Sequence, residues 1–402
     1  MNNIRKPKLI SPAGSLNKLK YAVIYGADGV YIGGKNFGLR AGANNFSIDD
    51  IKEAVAFAHD RNAEVYLTLN AVIFNSQIPE LRNYVNEIKD LGLDAVIISD
   101  PGVLEIIKEE APNLKIHLST QTSTTNLSAI KFWEKQGIKR IVMAREVPID
   151  ELTEIRKSTN CEIEIFIHGA MCMSYSGRCA LSEYMTNRDA NQGDCSHPCR
   201  WEYKVVELTR PDQEFEVFED DKGISIFSSK DLCLFDYIPQ LIQSGIDAFK
   251  IEGRMKSEYY VAVITRAYRK AIDHYFSPDP KEDDLSSWRN ELEKVSHREY
   301  TTGFTIPANE SRQTYTKEGY VREYEYLGEV LEKTADGMNL VNIKNKILKA
   351  ENVECIDSES NFNIEVKEIF NLKNISVDEI HPGQNAVIRF SKQLEPFTLL
   401  RR

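Results

Sequence analysis

Cysteine is scarce in this chain. Only 7 of its 402 residues are cysteine, and five of the seven lie between Cys172 and Cys233. An odd count gathered in one region favours metal binding or thiol chemistry over a framework of disulfides. Long apolar runs are also missing: no stretch of about 18 apolar residues could span a bilayer, and the first residues hold no apolar segment of signal-peptide length. We therefore expect a cytoplasmic protein with reduced thiols and no membrane partner.

Positive charge is in short supply as well. The chain has 50 Lys and Arg against 61 Asp and Glu, a formal net charge of -11 at pH 7. This excess of acid excludes a basic footprint over the whole surface, so an RNA partner would have to be held by a local patch and by shape. Neither an HExxH helix nor a GxSxG elbow occurs, which removes two common hydrolase motifs.

Short β-branched segments alternate with amphipathic segments through the first part of the chain. This order is typical of consecutive βα units around a parallel sheet. Eight such segments predict a closed (β/α)8 barrel of the TIM type. The predicted strands are residues 8–11, 29–33, 64–70, 95–99, 115–119, 140–144, 162–168 and 248–252.

The unit after the seventh strand is unusually long. Residues 169–230 form an insertion that carries four of the clustered cysteines, and long insertions in compact domains are usually functional. Beyond residue 304 short strands follow at 326–331, 339–343, 353–356, 363–370 and 386–390, which predict a small β-barrel. We expect a catalytic barrel at 1–277, a helical linker at 278–310 and the small β-barrel at 311–402.

Polar residues follow the predicted barrel strands. In a barrel of this type the catalytic groups lie where strands end and βα loops begin, so these side chains are expected to collect on one rim. They include Arg40, Asn70, Gln121, Arg145, His168, Glu252 and Arg254. His168 could act there as an acid, a base or a substrate ligand, or it could be a hydrogen-bonded structural residue.

The clustered cysteines allow three interpretations. Four thiolates could hold a 4Fe-4S cluster if the insertion folds over the barrel mouth. Structural zinc would normally need two close pairs, and only Cys195 with Cys199 has that spacing. Buried structural cysteine suits Cys161 and Cys355, which stand apart in β-rich apolar runs. The spacing and the glycine-rich setting of the five clustered cysteines favour the iron-sulfur cluster.

The segment around the first clustered cysteines has a distinctive pattern. The run ExFxxGAMCxxxxGxCxLS extends from Glu164 through Cys172 and Cys179 to Ser182. Further blocks read SPAGS, NRDANQGDCSHPCRW, SSKDLC, KIEGRMKS and SHREYTTGF, and together they reach over nearly the whole chain. The sequence thus resembles the collagenase-like peptidase family, numbered thirty-two among the U-type peptidases.

This resemblance implies a function that differs from the family's name. Bacterial members with the same layout are iron-sulfur proteins that hydroxylate the wobble uridine of tRNA to 5-hydroxyuridine with prephenate. Relatives hydroxylate a ribosomal RNA cytidine or act in oxygen-independent ubiquinone synthesis. The resemblance also makes Cys199 an alternative ligand of the 4Fe-4S cluster, because some relatives use a cysteine from the pair with three residues between. The implied ligands are Cys172, Cys179, Cys195 and Cys233.

Prephenate is a dicarboxylate, and a guanidinium group can hold a carboxylate by two parallel hydrogen bonds. The predicted anchors are therefore Arg40, Arg145 and Arg254, although each could instead form a salt bridge with Glu146 or Glu252. We expect catalytic roles for His168, Arg145 and Glu252. Substrate binding is expected from Arg40, Asn70, Gln121 and Arg254.

The expected partners are tRNA, prephenate and either a paralogous subunit or a second copy of the chain. Two other classes of function stay open. One is a peptidase that acts on collagen-like chains, as the family name implies, and the other is a non-catalytic metal-binding assembly module.

Overall fold

The computed structural model describes residues 4–39, 45–172, 174–201, 218–220, 223–225, 230–280, 282–306 and 321–402. Its contacts divide the chain into two compact units. The first consists of Met1–Leu292 and His297–Val321, and the second of Glu293–Ser296 and Arg322–Arg402.

Eight parallel strands close into a barrel in the first unit, which confirms the predicted TIM-like fold. They are β1 (Lys8–Pro12), β2 (Gly29–Gly33), β3 (Glu64–Leu69), β4 (Ala95–Ile98), β5 (Lys115–Leu118), β6 (Arg140–Val142), β7 (Glu162–Ala170) and β11 (Ala248–Ile251). Neighbours in this order are hydrogen bonded, and β11 pairs with both β1 and β7. Every predicted strand ends within two residues of the observed one.

Helices follow the strands and cover the barrel. They are α1 (Leu16–Ile24), α2 (Ile48–His59), α3 (Ile78–Ile88), α4 (Pro101–Glu110), α5 (Leu127–Lys135), α6 (Ile149–Arg156), α7 (Leu181–Thr186), α8 (Ile238–Gln243), α9 (Glu258–Phe276) and α10 (Glu282–Glu291). Helix α2 begins with a capping box, in which the Ser47 side chain accepts from the Asp50 backbone N–H and the Asp50 side chain accepts from the Ser47 backbone N–H. None of the described helices has the length and apolar character needed to cross a membrane.

Four short strands after β7 were not predicted from the sequence. A two-stranded hairpin joins β8 (Phe218–Asp220) to β9 (Gly223–Ser225). Strand β10 (Asp231–Cys233) then pairs antiparallel with the end of β7, and β12 (Tyr300–Thr301) pairs with β10. Segments this short cannot show the alternation of a strand by themselves, so the local sequence pattern did not indicate them.

The second unit is a closed antiparallel barrel, as the sequence predicted. Its strands are β13 (Tyr326–Lys333), β14 (Asn339–Ile343), β15 (Ile347–Leu348), β16 (Asn352–Ile356), β17 (Asn361–Asn371), β18 (Ser376–Val377), β19 (Glu379–Ile380), β20 (Asn385–Phe390) and β21 (Leu399–Arg401). The hydrogen-bonded ring runs β16, β21, β13, β14, β20, β17 and back to β16. The unpredicted β21 closes this ring, because it pairs with both β13 and β16.

Candidate functional site

A pocket of about 190 Å³ opens at the carboxyl ends of the barrel strands. This is the end at which barrels of this type hold their catalytic groups. The strand ends and the insertion after β7 both contribute to its walls. The predicted site residues that line it are Asn70, Gln121, Arg145, Cys172, Cys179, Cys195, Glu252 and Arg254. Arg40 lies outside the described residues.

Arg254 is buried in the pocket wall just beyond β11. Its Nη1 donates to the Thr68 hydroxyl at 3.3 Å, and its Nη2 donates to Asn45 Oδ1 at 2.7 Å. These two partners are neutral oxygen atoms, so they orient the guanidinium without cancelling its charge. Their contribution is to hold a cation in place at the rim.

Three glycines make room for residues 252–254. A Cβ atom at Gly14 would lie 2.1 Å from the carbonyl oxygen of Arg254, and one at Gly33 would lie 2.0 Å from its Nη2. At Gly169, where φ is +104°, a Cβ would lie 2.4 Å from the carbonyl oxygen of Glu252. These glycines belong to the blocks SPAGS, GGKNFG and HGAMC. Their shared physical role is close backbone approach to one strand end.

Arg145 lies near the carboxylate of Glu252. Its Nη2 is 3.8 Å from Glu252 Oε2, its Nη1 donates to the Ala170 carbonyl at 3.0 Å, and its guanidinium carbon sits 4.0 Å from the Phe166 ring centre. Its Nε is buried and has no hydrogen-bond partner among the described residues. The predicted salt bridge with Glu252 is therefore present but long, and Arg145 keeps a donor to offer to a ligand.

Glu146 does not pair with these arginines. Its two carboxylate oxygens accept from the backbone N–H and the hydroxyl of Ser176, both at 2.8 Å. Ser176 belongs to the insertion and is in the left-handed backbone region, with φ of 49°. Glu146 therefore ties the cysteine-bearing insertion to the end of β6.

Polar side chains form a short row across the other wall. Asn70 Nδ2 lies 3.3 Å from the Ser119 hydroxyl, which lies 3.3 Å from Gln121 Oε1. Asn70 Oδ1 is buried and accepts no hydrogen bond from the described residues. A buried acceptor without a partner is costly unless a ligand or water supplies one. The predicted binding residues Asn70 and Gln121 are thus brought together.

A buried ion-pair network forms the floor of the pocket. Glu164 Oε1 accepts from Lys250 Nζ at 2.6 Å, and Oε2 accepts from Arg140 Nη1 at 3.1 Å. Burial opposes ionisation of Glu164, yet the charges of Lys250 and Arg140 hold its pKa below the usual range. Burial also lowers the pKa of Lys250, against the opposing charge of Glu164. Lys250 itself lines the pocket.

His168 lies away from this pocket. Its side chain is almost fully buried, with Nδ1 3.2 Å from the Tyr268 hydroxyl and the ring packed against Tyr260 and Tyr300. Burial lowers its pKa to about 3, against the opposing charge of Asp231, so the ring is neutral at pH 7. These surroundings are those expected of a hydrogen-bonded structural histidine. A catalytic role for His168 stays a prediction.

Four of the five clustered cysteines share the pocket. They are Cys172, Cys179, Cys195 and Cys199. Cys233 is instead buried beside Tyr268, whose hydroxyl lies 3.7 Å from its sulfur, and burial raises the pKa of this thiol. Within the described ranges, no three His, Cys, Asp or Glu side chains are grouped so as to hold a metal ion. The thiols thus share a wall without forming a ready cage, and the ligand set stays a prediction.

Cys161 and Cys355 are both buried, as their apolar surroundings suggested. Burial raises the pKa of each thiol to about 12. Both side chains are therefore uncharged at neutral pH, which suits structural residues.

No site role was predicted from the sequence for several residues that form the pocket. They include Tyr31, Thr68 and Lys250. The alternation of side chains along each strand could have indicated such residues, because every second side chain of a barrel strand points inward. Residues 164 and 166 on β7 follow this period of two, as do residues 250 and 252 at β11. A buried Lys in an otherwise apolar strand, AFKI, was the clearest mark of the pocket floor.

Comparison with known proteins gives matches along almost the entire chain. The chain is 39% identical over 404 residues to tRNA hydroxylation protein P1 of Bacillus subtilis, covering 99% of this chain and 95% of that protein. It is 33% identical over 425 residues to tRNA hydroxylation protein P of Escherichia coli, covering 95% and 93%. A 23S rRNA 5-hydroxycytidine C2501 synthase of Escherichia coli is 37% identical over 303 residues, covering 74% of this chain and 45% of that protein.

Two family models match the two parts of the sequence. The model for Peptidase family U32 matches residues 14–315, and the model for the Peptidase family U32 C-terminal domain matches residues 322–401. The resemblance found in the motifs is thereby confirmed, and the chain belongs to peptidase family U32.

Proposed function

We propose that this protein is an RNA-modifying enzyme that hydroxylates the wobble uridine of tRNA to 5-hydroxyuridine, with prephenate as co-substrate and a 4Fe-4S cluster as cofactor. Relatives that match nearly end to end are named tRNA hydroxylation proteins, and a further relative is named for hydroxylation of a ribosomal RNA cytidine. The observation that carries the proposal is a pocket that gathers cations, amides and thiols at the carboxyl end of the barrel strands.

Arg145 and Arg254 are the proposed anchors for the carboxylates of prephenate. Both line the pocket, and both guanidinium groups are fixed by the hydrogen bonds that they donate to neighbouring residues. Fixed guanidinium groups lose little side-chain entropy when a carboxylate binds. Glu252, 3.8 Å from Arg145, is the proposed proton acceptor in the same pocket.

Asn70 and Gln121 are the proposed contacts for the base. A modified base in an RNA loop must be turned out of its stack to enter a pocket of this kind. The buried Oδ1 of Asn70 is an acceptor that suits the N3–H donor of uridine, a donor that cytidine lacks. This contact would help the enzyme to choose uridine.

The cysteines supply the right donor chemistry for an iron-sulfur cluster, because thiolates are its usual ligands. We propose that Cys172, Cys179 and Cys195 hold it. The fourth ligand is Cys233 by family resemblance, whereas Cys199 is the cysteine that shares the pocket with the other three. When bound, the cluster would supply redox or Lewis-acid chemistry next to the anchored acid. Zinc at Cys195 and Cys199 is the alternative metal.

A peptidase is the alternative function, and one contact bears on it. Cys195 Sγ lies 3.8 Å from His197 Nδ1 in the pocket, and a thiol beside an imidazole is the arrangement of a cysteine nucleophile. The two residues are held in one tight turn, where the His197 backbone N–H also points to the sulfur at 3.4 Å. The same contact suits a metal-binding turn, and the end-to-end relatives favour RNA hydroxylation.

The proposal is tested by anaerobic purification with iron, sulfide and visible-absorption analysis, together with nucleoside mass spectrometry of tRNA from cells that lack this gene. A brown protein with about four irons per chain and lost 5-hydroxyuridine supports it. A colourless protein that cleaves gelatin, with unchanged tRNA, overturns it in favour of the peptidase. Unchanged tRNA with altered ribosomal RNA or ubiquinone would assign the protein a different substrate, one that other family members hydroxylate. Size-exclusion chromatography of the same sample tests the predicted second copy or paralogous subunit.

A further inference from the structure

We propose that Lys250 and Arg145 form a subsite for 2-oxo acids, in which the Lys250 ammonium binds the oxo oxygen and Arg145 binds the neighbouring carboxylate. This inference rests on the proposed function, because prephenate carries a 2-oxo acid side chain. It adds the residue that would recognise that group.

The two cations meet on one aromatic ring. The Arg145 guanidinium carbon lies 4.0 Å from the Phe166 ring centre, and Lys250 Nζ lies 5.9 Å from the same centre. Arg145, Phe166 and Lys250 all line the pocket. Both charged groups therefore border the same pocket, beside an aromatic ring.

Lys250 has donors left for a ligand. An ammonium group carries three N–H donors, and within the described stretches of the chain the Lys250 group makes one hydrogen bond, to Glu164 at 2.6 Å. Its other near neighbour is the face of the Tyr31 ring, at 4.1 Å. The Glu164 carboxylate also accepts a hydrogen bond from Arg140, so its charge is shared between the two cations. The ammonium group therefore has N–H donors beyond the one that Glu164 accepts.

The chemistry of the two side chains divides their tasks. A guanidinium presents parallel donors that match the two oxygens of a carboxylate, whereas an ammonium is a compact point charge that suits one oxygen. A 2-oxo acid presents a planar carboxylate and a single carbonyl oxygen side by side. Arg145 with Lys250 is complementary to that pair of groups.

The test compares two acids by isothermal titration calorimetry on the purified full chain. Phenylpyruvate is the 2-oxo acid, and 3-phenylpropanoate has the same skeleton without the oxo oxygen. A hydrogen bond from a charged donor leads us to expect at least about tenfold tighter binding of phenylpyruvate. K250M should bring the ratio of the two affinities to about one, and R145A should weaken both acids together.

A double variant guards against misfolding. K250M leaves Glu164 buried with one cation fewer, whereas E164Q/K250M removes both members of that pair, so thermal unfolding of each variant is measured beside binding. A folded K250M protein, or a folded double variant, that still prefers phenylpyruvate overturns the proposal. So does a wild-type protein that binds the two acids alike or binds neither.

This experiment contains no RNA, so it separates the subsite from the proposed function. A preference that depends on Lys250, found in a protein whose deletion leaves 5-hydroxyuridine unchanged, would support the subsite and refute tRNA hydroxylation. Loss of 5-hydroxyuridine on deletion, with no oxo preference in the purified protein, would refute the subsite alone.

Discussion

Gly33 and Arg254 are in direct contact at the mouth of the barrel. A Cβ atom on Gly33 would lie 2.0 Å from Arg254 Nη2 and 2.7 Å from its guanidinium carbon. The end of β2 therefore sets the position of a cation that follows β11, and any larger residue at position 33 must displace it.

The first prediction concerns this contact. G33A should move the Arg254 guanidinium and weaken prephenate binding by about tenfold or more, with overpacking costing about 1–3 kcal/mol of stability. G38A is the matched control, because its Cβ would meet nothing closer than 3.4 Å. Calorimetry and thermal unfolding measure both effects. Equal prephenate binding by G33A and wild type would show that Arg254 does not touch the ligand.

The second prediction concerns the arginine anchors. R145A and R254A should each lower the fraction of wobble uridine that is hydroxylated, because each removes a charge-assisted hydrogen bond worth about 1.5–3 kcal/mol. Complemented deletion cells and nucleoside mass spectrometry provide the measurement. R82A serves as control, since Arg82 pairs with Glu109 and Glu110 on the helical surface. Full hydroxylation in both pocket variants would refute the anchoring role.

The third prediction separates the candidates for the fourth cluster ligand. If Cys233 is the ligand, C233A should lose iron and visible absorption while C199A keeps them, and the opposite result assigns Cys199. C355A is the control, because Cys355 is buried in the second unit. Iron and sulfide are assayed after anaerobic purification. Full iron content in both C233A and C199A would leave neither as a required ligand.

The fourth prediction is a dependence of stability on pH. The lowered pKa of Glu164 means that the folded state keeps its carboxylate ionised, so this contribution is present above the unfolded pKa of about 4.3 and is lost as pH falls through the lowered value. E164Q should lower the free energy of unfolding at pH 7 by about 3–5 kcal/mol. The gap between wild type and variant should narrow in acid.

E162Q is the control for that experiment. Glu162 also pairs with Arg140, at 2.7 Å, but its side chain is 31% exposed. Water reaches this carboxylate and screens the pair, so E162Q should lower the free energy of unfolding by less than E164Q does. A loss as large for E162Q as for E164Q would show that burial of the ion pair is not what matters.

Much of the fold followed from the sequence because short β-branched segments alternate with helical segments along the chain. Strands β1 to β7 and β11 carry that pattern over three or more residues, and each was located to within two residues. Strand β6 is as short as β10 and β21, but it lies in the regular βα order. β10 and β21 are strands because of long-range pairing, which a local pattern does not show. Such pairing cannot be seen in one sequence.

The candidate site divided in the same way. The rule that strand ends form one rim correctly gathered Asn70, Gln121, Arg145 and Arg254. It did not tell which way a side chain turns at that rim, and His168 turns toward the tyrosines of α9 and β12. Lys250 was overlooked because it lies inside β11 and not at the strand end. The sequence pattern predicts only that such a position is in the core.

The most direct measurement is the 5-hydroxyuridine content of tRNA from cells lacking this gene, compared with the same cells carrying the wild-type chain or the R145A/R254A double variant. We predict loss of wobble hydroxylation in the deletion, recovery with the wild-type chain, and little or no recovery with the folded double variant. Unchanged 5-hydroxyuridine in the deletion, with no paralogue present to replace the protein, would contradict tRNA hydroxylation as its function.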